Sequence, residues 1–312
     1  MTTLLVVGLA TSLDRYLWVD SVRTGTVNRP RRVEDQAGGK ALHVARAAAT
    51  LGATVRAVSV IGGRTGQRVR DLGERAPWTT SWVEVEADTR VCTSVIDAVD
   101  DSMTEFYEPV PSLGTHDWDP IVRTVTDAVR DQPDVAVVSG QLPRGLPDDG
   151  LAALVRLIAD ADVPVFLDSA GPPLAVALTA GPDVVKVTAA EAAGALGTAG
   201  ADEDPHTLAT ALVAAGAANA VITCGAEGAV FASGRDSMTV SAPPVAPAWP
   251  VGSGDSFTAG LAVARASGRS WDDSLRRAAG AAAANAAAPI AAAFTRSAAD
   301  AYTAEARTIA TS

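Results

Sequence analysis

Cysteine is almost missing. Cys92 and Cys224 are the only two in 312 residues, and they share none of the short spacings that hold a metal, so a reducing cytoplasm is the simpler setting. Long apolar runs are missing too: no stretch of about 18 apolar residues escapes interruption by glycine, proline or charge, which argues against an export signal and a membrane span. The one long small-residue run, Ala279–Ala293, is alanine with glycine and asparagine and reads as a close-packed helix. Positive charge is in deficit. A net charge of −11 disfavours nonspecific binding to nucleic acid or to anionic membranes, because both need a basic face. Any phosphate site must then be built locally, from backbone N–H groups, helix N-termini and a few placed Lys or Arg residues.

What is present is alternation. Strand-like apolar runs at Leu4–Leu9, Thr54–Ile61, Val135–Ser139, Val163–Asp168, Val184–Val187 and Ala220–Cys224 are separated by helix-like runs. The helical runs are Lys40–Leu51, Asp117–Asp131, Pro147–Ala161, Pro173–Ala180, Ala189–Leu196 and His206–Ala217. This pattern predicts an α/β fold with a mainly parallel central sheet flanked by helices on both faces. Several strands end in polar or glycine-containing turns, where ligands collect in such sheets. Residues 14–36 and 89–109 break the alternation and read as a small β-sheet lid over the site, within one domain spanning 1–312. A lid suits a reaction from which water must be excluded.

The segment Gly252-Ser253-Gly254-Asp255 opens a helical run, Ser256–Ser267. Glycines there let N–H groups converge, and the helix dipole adds roughly half a positive charge, so the segment can stabilise a transferring phosphoryl group. Asp255 at its rim can take the proton of an attacking alcohol. A tight turn with an aspartate N-cap explains the same residues equally well.

A second glycine-rich helix start, Ala37-Gly38-Gly39-Lys40-Ala41-Leu42-His43-Val44-Ala45-Arg46, separates these readings. Together the two segments resemble the N- and C-terminal signatures of the PfkB, or ribokinase-like, carbohydrate kinases, and most of all their 1-phosphofructokinase and tagatose-6-phosphate kinase branch. Weaker matches follow in order along nearly the whole chain, at Leu13-Asp14, Gly25–Arg29, Thr89-Arg90, Thr104–Pro109, Ser139–Pro143, Lys186–Glu191 and Thr223–Gly228.

The resemblance implies a ribokinase-like fold and an ATP-dependent sugar kinase using Mg²⁺. Asp255 would be the base, and Gly252, Ser253 and Gly254 the anion hole. Asp14, Gly38, Gly39, His43, Arg90 and Ser139 would meet the sugar, with Lys40, and Asn28 or Arg29, reaching a substrate phosphate if there is one. Lys186, Thr188, Thr223, Gly225, Gly228 and Asn285 would line the nucleotide site, and Glu191 would organise Mg²⁺ through water. Homodimerisation through the lid is the expected assembly.

The chain departs from the family pattern in five places. Ala41 replaces a glycine and His43 an asparagine; Ala10-Thr11-Ser12 replaces Asn-Pro-Ala before Leu13-Asp14. Thr188 replaces an asparagine, and Trp249-Pro250 precedes the anion hole where a small polar pair is usual, which removes support for a monovalent-cation site. Three functions are therefore expected in order: a kinase of a phosphorylated hexose, a kinase of an unphosphorylated sugar, cyclitol or nucleoside-like acceptor, and a sugar-binding regulator without catalysis.

Overall fold

The computed structural model describes residues 2–198, 203–246 and 249–311. In chain order its strands are β1 (Thr3–Gly8), β2 (Ser12–Val19), β3 (Arg32–Gly38), β4 (Thr54–Gly62), β5 (Thr79–Val85), β6 (Arg90–Asp97) and β7 (Ser102–Tyr107). They continue as β8 (Val135–Ser139), β9 (Val165–Asp168), β10 (Val184–Thr188), β11 (Asn219–Thr223), β12 (Ala229–Ser233), β13 (Ser237–Val240) and β14 (Thr308–Thr311). The helices are α1 (Lys40–Thr50), α2 (Gly63–Gly73), α3 (Trp118–Val129), α4 (Gly150–Ala159), α5 (Pro172–Leu178), α6 (Ala189–Leu196), α7 (Pro205–Ala214), α8 (Ser253–Ala266), α9 (Trp271–Ala286) and α10 (Arg296–Glu305).

Alternate side chains of β1 enter opposite cores, which is why that strand is apolar without a break. Leu4 and Val6 join a layer with Leu42 of α1, Phe257 and Leu261 of α8 and Leu275 of α9. Leu5 and Val7 join the other layer, with Ile121 of α3, Leu154 of α4, Leu174 of α5 and Leu208 of α7. The large sheet runs β14-β13-β12-β11-β10-β9-β8-β1-β4-β5. From β11 to β5 every pairing is parallel, while β12, β13 and β14 add antiparallel strands at one edge. The mainly parallel α/β expectation holds, and the antiparallel edge is an addition to it.

A second sheet stands apart, in the order β3-β2-β6-β7. It occupies the segments expected to form a lid. Period-two alternation gives it two distinct faces. On one face Ser12, Asp14 and Tyr16 pair across to Arg90, Cys92 and Ser94, and the last two pair on to Tyr107 and Glu105.

The run Ala279–Ala293 corrects the sequence reading. Helix α9 stops at Ala286, and the remaining residues turn back, with Ala292 at a φ of 56°. Alanine favours helix but does not compel it. Here Asn285 draws the chain out of the helix by accepting the Ala292 N–H at 2.6 Å, a side-chain alternative to the backbone ladder.

Candidate active site

The carboxyl ends of β10 and β11, the N-terminus of α8 and the inner face of the small sheet enclose a cleft of about 1010 Å³. Asp255, Gly252, Ser253 and Gly254 line it, as do Asp14, Gly39, Lys40, His43 and Arg90. Lys186, Thr188, Glu191, Thr223, Gly225 and Gly228 line it as well. Residues separated by up to 241 positions thus meet because the parallel sheet delivers every strand end to one edge.

Helix α8 begins at Ser253, earlier than its hydrophobic pattern indicates, and its N-cap is Gly252 at a φ of 79°, a left-handed conformation suited to glycine. No side chain caps the helix. The N–H groups of Gly254 and Asp255 lie in the first turn and have no acceptor within the helix, so they face the cleft as donors. Asp255 is therefore a first-turn carboxylate and not an N-cap, which removes the capped-turn explanation.

Asn285 shapes this loop from beneath. Its side-chain amide donates to the Val251 carbonyl at 2.8 Å and to Ser253 Oγ at 3.0 Å. It was expected at the nucleotide, but it is fully buried and is absent from the cleft wall, so its hydrogen-bonding capacity is spent on backbone and Ser253.

Two buried charge clusters flank the helix start. In the first, Asp168 accepts from Lys40 Nζ at 3.0 Å and from Lys186 Nζ at 2.7 Å, and Thr258 Oγ donates to it at 3.0 Å. Burial disfavours the Asp168 charge, but Lys186 and then Lys40 more than offset that and hold the carboxyl down to about 2. Asp168 in turn raises Lys40 above its ordinary value, against desolvation. Lys40 also reaches Glu191 at 3.4 Å. Its ammonium, expected to reach an acceptor phosphate, is thus paired with Asp168 and Glu191.

In the second cluster, His43 stands between two carboxylates. Its Nδ1 is 2.9 Å from Asp255 Oδ2 and its Nε2 is 2.6 Å from Asp14 Oδ2. Ser12 Oγ donates to the other Asp14 oxygen at 2.6 Å. Gly38 permits this arrangement by close approach, because a Cβ there would stand 2.1 Å from the Asp14 carboxyl carbon. Burial opposes a charged imidazole, yet Asp14 and then Asp255 push His43 up to about 9.

Glu191 and Thr188 form a capping box at the start of α6. Glu191 Oε2 accepts the Thr188 N–H at 2.8 Å and its hydroxyl at 3.0 Å, and Thr188 Oγ accepts the Glu191 N–H at 3.3 Å. Among the described residues no group of three or more His, Cys, Asp or Glu side chains is arranged as a metal cage. One cleft-facing carboxylate with spare lone pairs suits an ion that keeps most of its water, as Mg²⁺ does.

Three further expected residues lie off the cleft wall. Asn28 spends its amide within its own turn, accepting from Arg23 N at 2.9 Å and donating to Arg23 O at 2.9 Å, and Arg29 beside it is exposed. Neither lines the cleft, because the turn between β2 and β3 projects from the end of the sheet. Ser139 is buried beside Asp168, its pairing partner on β9, and also falls short of the cleft wall. Asp168 itself was missed as a site residue. The sequence signal was weak: Asp168 ends a strand at the edge where Lys186 also lies, but that Lys40, from a helix start, converges on it shows only in the fold.

The family described as "pfkB family carbohydrate kinase" matches the chain over residues 1–296. The 1-phosphofructokinase of Xanthomonas campestris pv. campestris is 33% identical over 266 residues, covering 83% of each chain. The 1-phosphofructokinase of Haloferax volcanii is 32% identical over 267 residues, covering 85% of each. Among solved structures, the tetrameric inhibited form of phosphofructokinase-2 from Escherichia coli has a TM-score of 0.87 at 23% identity, over 98% of this chain and 99% of that one. A possible 1-phosphofructokinase from Thermotoga maritima has a TM-score of 0.87 at 20% identity, over 99% and 100%. These two structures share the fold.

Proposed function

We infer the acceptor and the roles of the residues from an established premise: the chain belongs to the pfkB family of carbohydrate kinases and is an ATP-dependent sugar kinase. That premise sets aside the non-catalytic regulator. The acceptor is a phosphorylated hexose, and Asp255 takes the proton of the hydroxyl that attacks the γ-phosphoryl group. The observation that carries this reading is the start of α8, where Asp255 and unpaired N–H groups share one rim of the cleft and face the inner rows of the small sheet.

Developing charge on the phosphoryl oxygens meets the Gly254 and Asp255 N–H groups and Lys186, whose Nζ lies 3.1 Å from where a Gly254 side chain would begin. Thr223, Gly225 and Gly228 take the nucleotide, and the small residues Ala279, Ala282 and Ala283 of α9 give it a flat apolar wall. Mg²⁺, when bound, neutralises phosphate charge, with Glu191 holding it through water. Asp14, Gly39 and Arg90 hold the sugar, and the small sheet closes over it as a lid. The protein works in the cytoplasm. It pairs with a second copy through the face of the lid turned away from the cleft, where Val33 is 55% and Phe106 61% exposed.

ADP formation with ATP and a panel of fructose and tagatose phosphates, run beside the free sugars, tests the acceptor. Turnover is expected with a phosphorylated hexose; strong turnover confined to free sugars would replace this reading with the second one. That alternative has its own support, because Lys40 is committed to Asp168 and Glu191 and Arg90 carries the acceptor-side positive charge of the cleft wall.

A further inference from the structure

The ring of His43 is buried, and each of its nitrogens meets a carboxylate oxygen, at 2.6 and 2.9 Å. Ionised carboxylates only accept hydrogen bonds, and a neutral imidazole has one N–H to give. With a neutral ring, one carboxylate would face a nitrogen lone pair at hydrogen-bond distance. The contact can be kept in two ways: a second proton sits on the ring, or one of the two aspartates is protonated. A protonated Asp255 could not serve as a base.

We propose that His43 is a positioning residue that works as an imidazolium, tying the base Asp255 to the acceptor-holding Asp14 and setting the upper pH limit of turnover. The proposal rests on the reading of Asp255 as the base. With Asp255 Oδ2 held by His43, Oδ1 is the oxygen left for the acceptor. In the transfer the acceptor O–H bond breaks and its proton goes to Asp255. The acceptor oxygen bonds the γ-phosphorus, the bond from that phosphorus to the ADP oxygen breaks, and His43 keeps both its protons. The imidazolium also cancels one of the two negative charges that an anionic acceptor would otherwise meet.

The charges around the ring agree with this assignment. Asp14 approaches from β2 and Asp255 from α8, while its own helix contributes Lys40, bound to Asp168, and Arg46. Arg46 donates to the Ala37 carbonyl at 2.9 Å, lies over Trp78, and is pushed down to about 10 by burial. Strands β1 and β8, packed against the same helix, carry no titratable side chain. Those of β3 and β4 are paired elsewhere: Arg32 with Glu34, Asp35 with Arg15 and Arg56 with Asp131. Arg265 of α8 stacks on Trp271. Two carboxylates therefore govern the ring, and they drive it to about 9 against the cost of burial.

Imidazole ¹⁵N spectra of the full chain, recorded from about pH 6 to about pH 10, test the protonation directly. The chain has three histidines, so the signal missing from His43→Asn is that of His43. Should that variant fail to fold, a chain carrying His116→Gln and His206→Gln leaves His43 as the sole histidine. Both ring nitrogens are expected to stay protonated through neutral pH and to lose a proton near pH 9. A ring that titrates near the ordinary histidine value of about 6.5 overturns the proposal.

The rate profile supplies the second readout. For the native enzyme kcat/KM is expected to fall about tenfold per pH unit above the His43 pKa. His43→Asn should lose that alkaline limb and run roughly 10- to 100-fold lower at neutral pH, the value of a hydrogen bond to a charged group. A native profile with no alkaline limb, or a variant profile that overlays the native one, sinks the proposal. The companion variant Asp255→Asn separates the two claims. If it turns over at the native rate, the base assignment fails, whatever the spectra show of His43.

Discussion

The two buried charge clusters at the start of α8 have inverted compositions. Around Asp168 one carboxylate holds two lysines; around His43 one ring is held by two carboxylates. Counted over these three groups each, the first is net positive and the second, with an imidazolium, net negative; Glu191, which also meets Lys40, offsets the first at its outer side. Each sign suits its side of the cleft: the nucleotide half must attract phosphate oxygens, and the acceptor half must draw a proton from a hydroxyl. A backbone that delivers strand ends to one edge cannot make this division. Three side chains in each cluster make it.

The comparison can be broken most severely at its hubs. Asp168→Ala leaves Lys40 and Lys186 without their shared counterion. Removing one partner of a buried pair costs about 3–5 kcal/mol, so chemical denaturation should show a loss of that order and calorimetry a weakened nucleotide affinity. A variant as stable as the native chain would show that the lysines do not depend on Asp168.

The clusters should also fail at opposite ends of the pH scale. His43 has a folded pKa raised from 6.5 to about 9, so its contribution is full below pH 6.5 and disappears as pH rises through 9. That contribution is on the order of 3 kcal/mol. Asp168 has a folded pKa lowered from 3.8 to about 2; its contribution is full above pH 3.8 and disappears as pH falls through 2. Denaturation midpoints followed upward from neutral pH should therefore drop in the native chain and stay flatter in His43→Asn.

Asp255→Asn keeps the size of the side chain and removes the base. Turnover should fall by about 10²-fold or more, with nucleotide affinity largely kept. A rate near the native one would remove Asp255 from the chemistry. The smallest effect belongs to Ser12→Ala, which deletes one donor to Asp14 while His43 retains the other. A loss of about 1 kcal/mol in stability is expected, seen as a small shift of the denaturation midpoint.

Sequence and structure agree best where one physical requirement acts alone. Strands such as β1 and β8 are buried on both faces, so unbroken apolar runs mark them. The glycines at residues 38, 39, 252 and 254 mark the helix starts of the cleft. Agreement fails where two requirements compete at one residue. Asn285 has a nucleotide ligand's chemistry but is consumed by the Gly252 loop, and Asn28 is consumed by its own turn. Asp168 went unnoticed because a carboxylate at a strand end has many uses, and only the folded sheet shows two lysines converging on it. His43 stood out as a departure at a helix start, but its partners lie 29 and 212 positions away. No local pattern carries that distance.

The short turn after α9 has a mechanical consequence. Ala291 donates its N–H to the Tyr16 hydroxyl at 3.1 Å and accepts from the Gln36 amide at 3.0 Å, so strands β2 and β3 of the small sheet are fastened to it. The next residue, Ala292, is fastened to Asn285, which also grips Val251 and Ser253. Gly252 leaves no slack, since a Cβ there would stand 2.7 Å from that of Ala291. Two adjacent alanines, with no functional group of their own, are thus the linkage between the covering sheet and the phosphoryl-binding loop. A linkage anchored on the backbone of two alanines is invisible to any inventory of reactive side chains, and it ties the position of the covering sheet to that of the phosphoryl-binding loop.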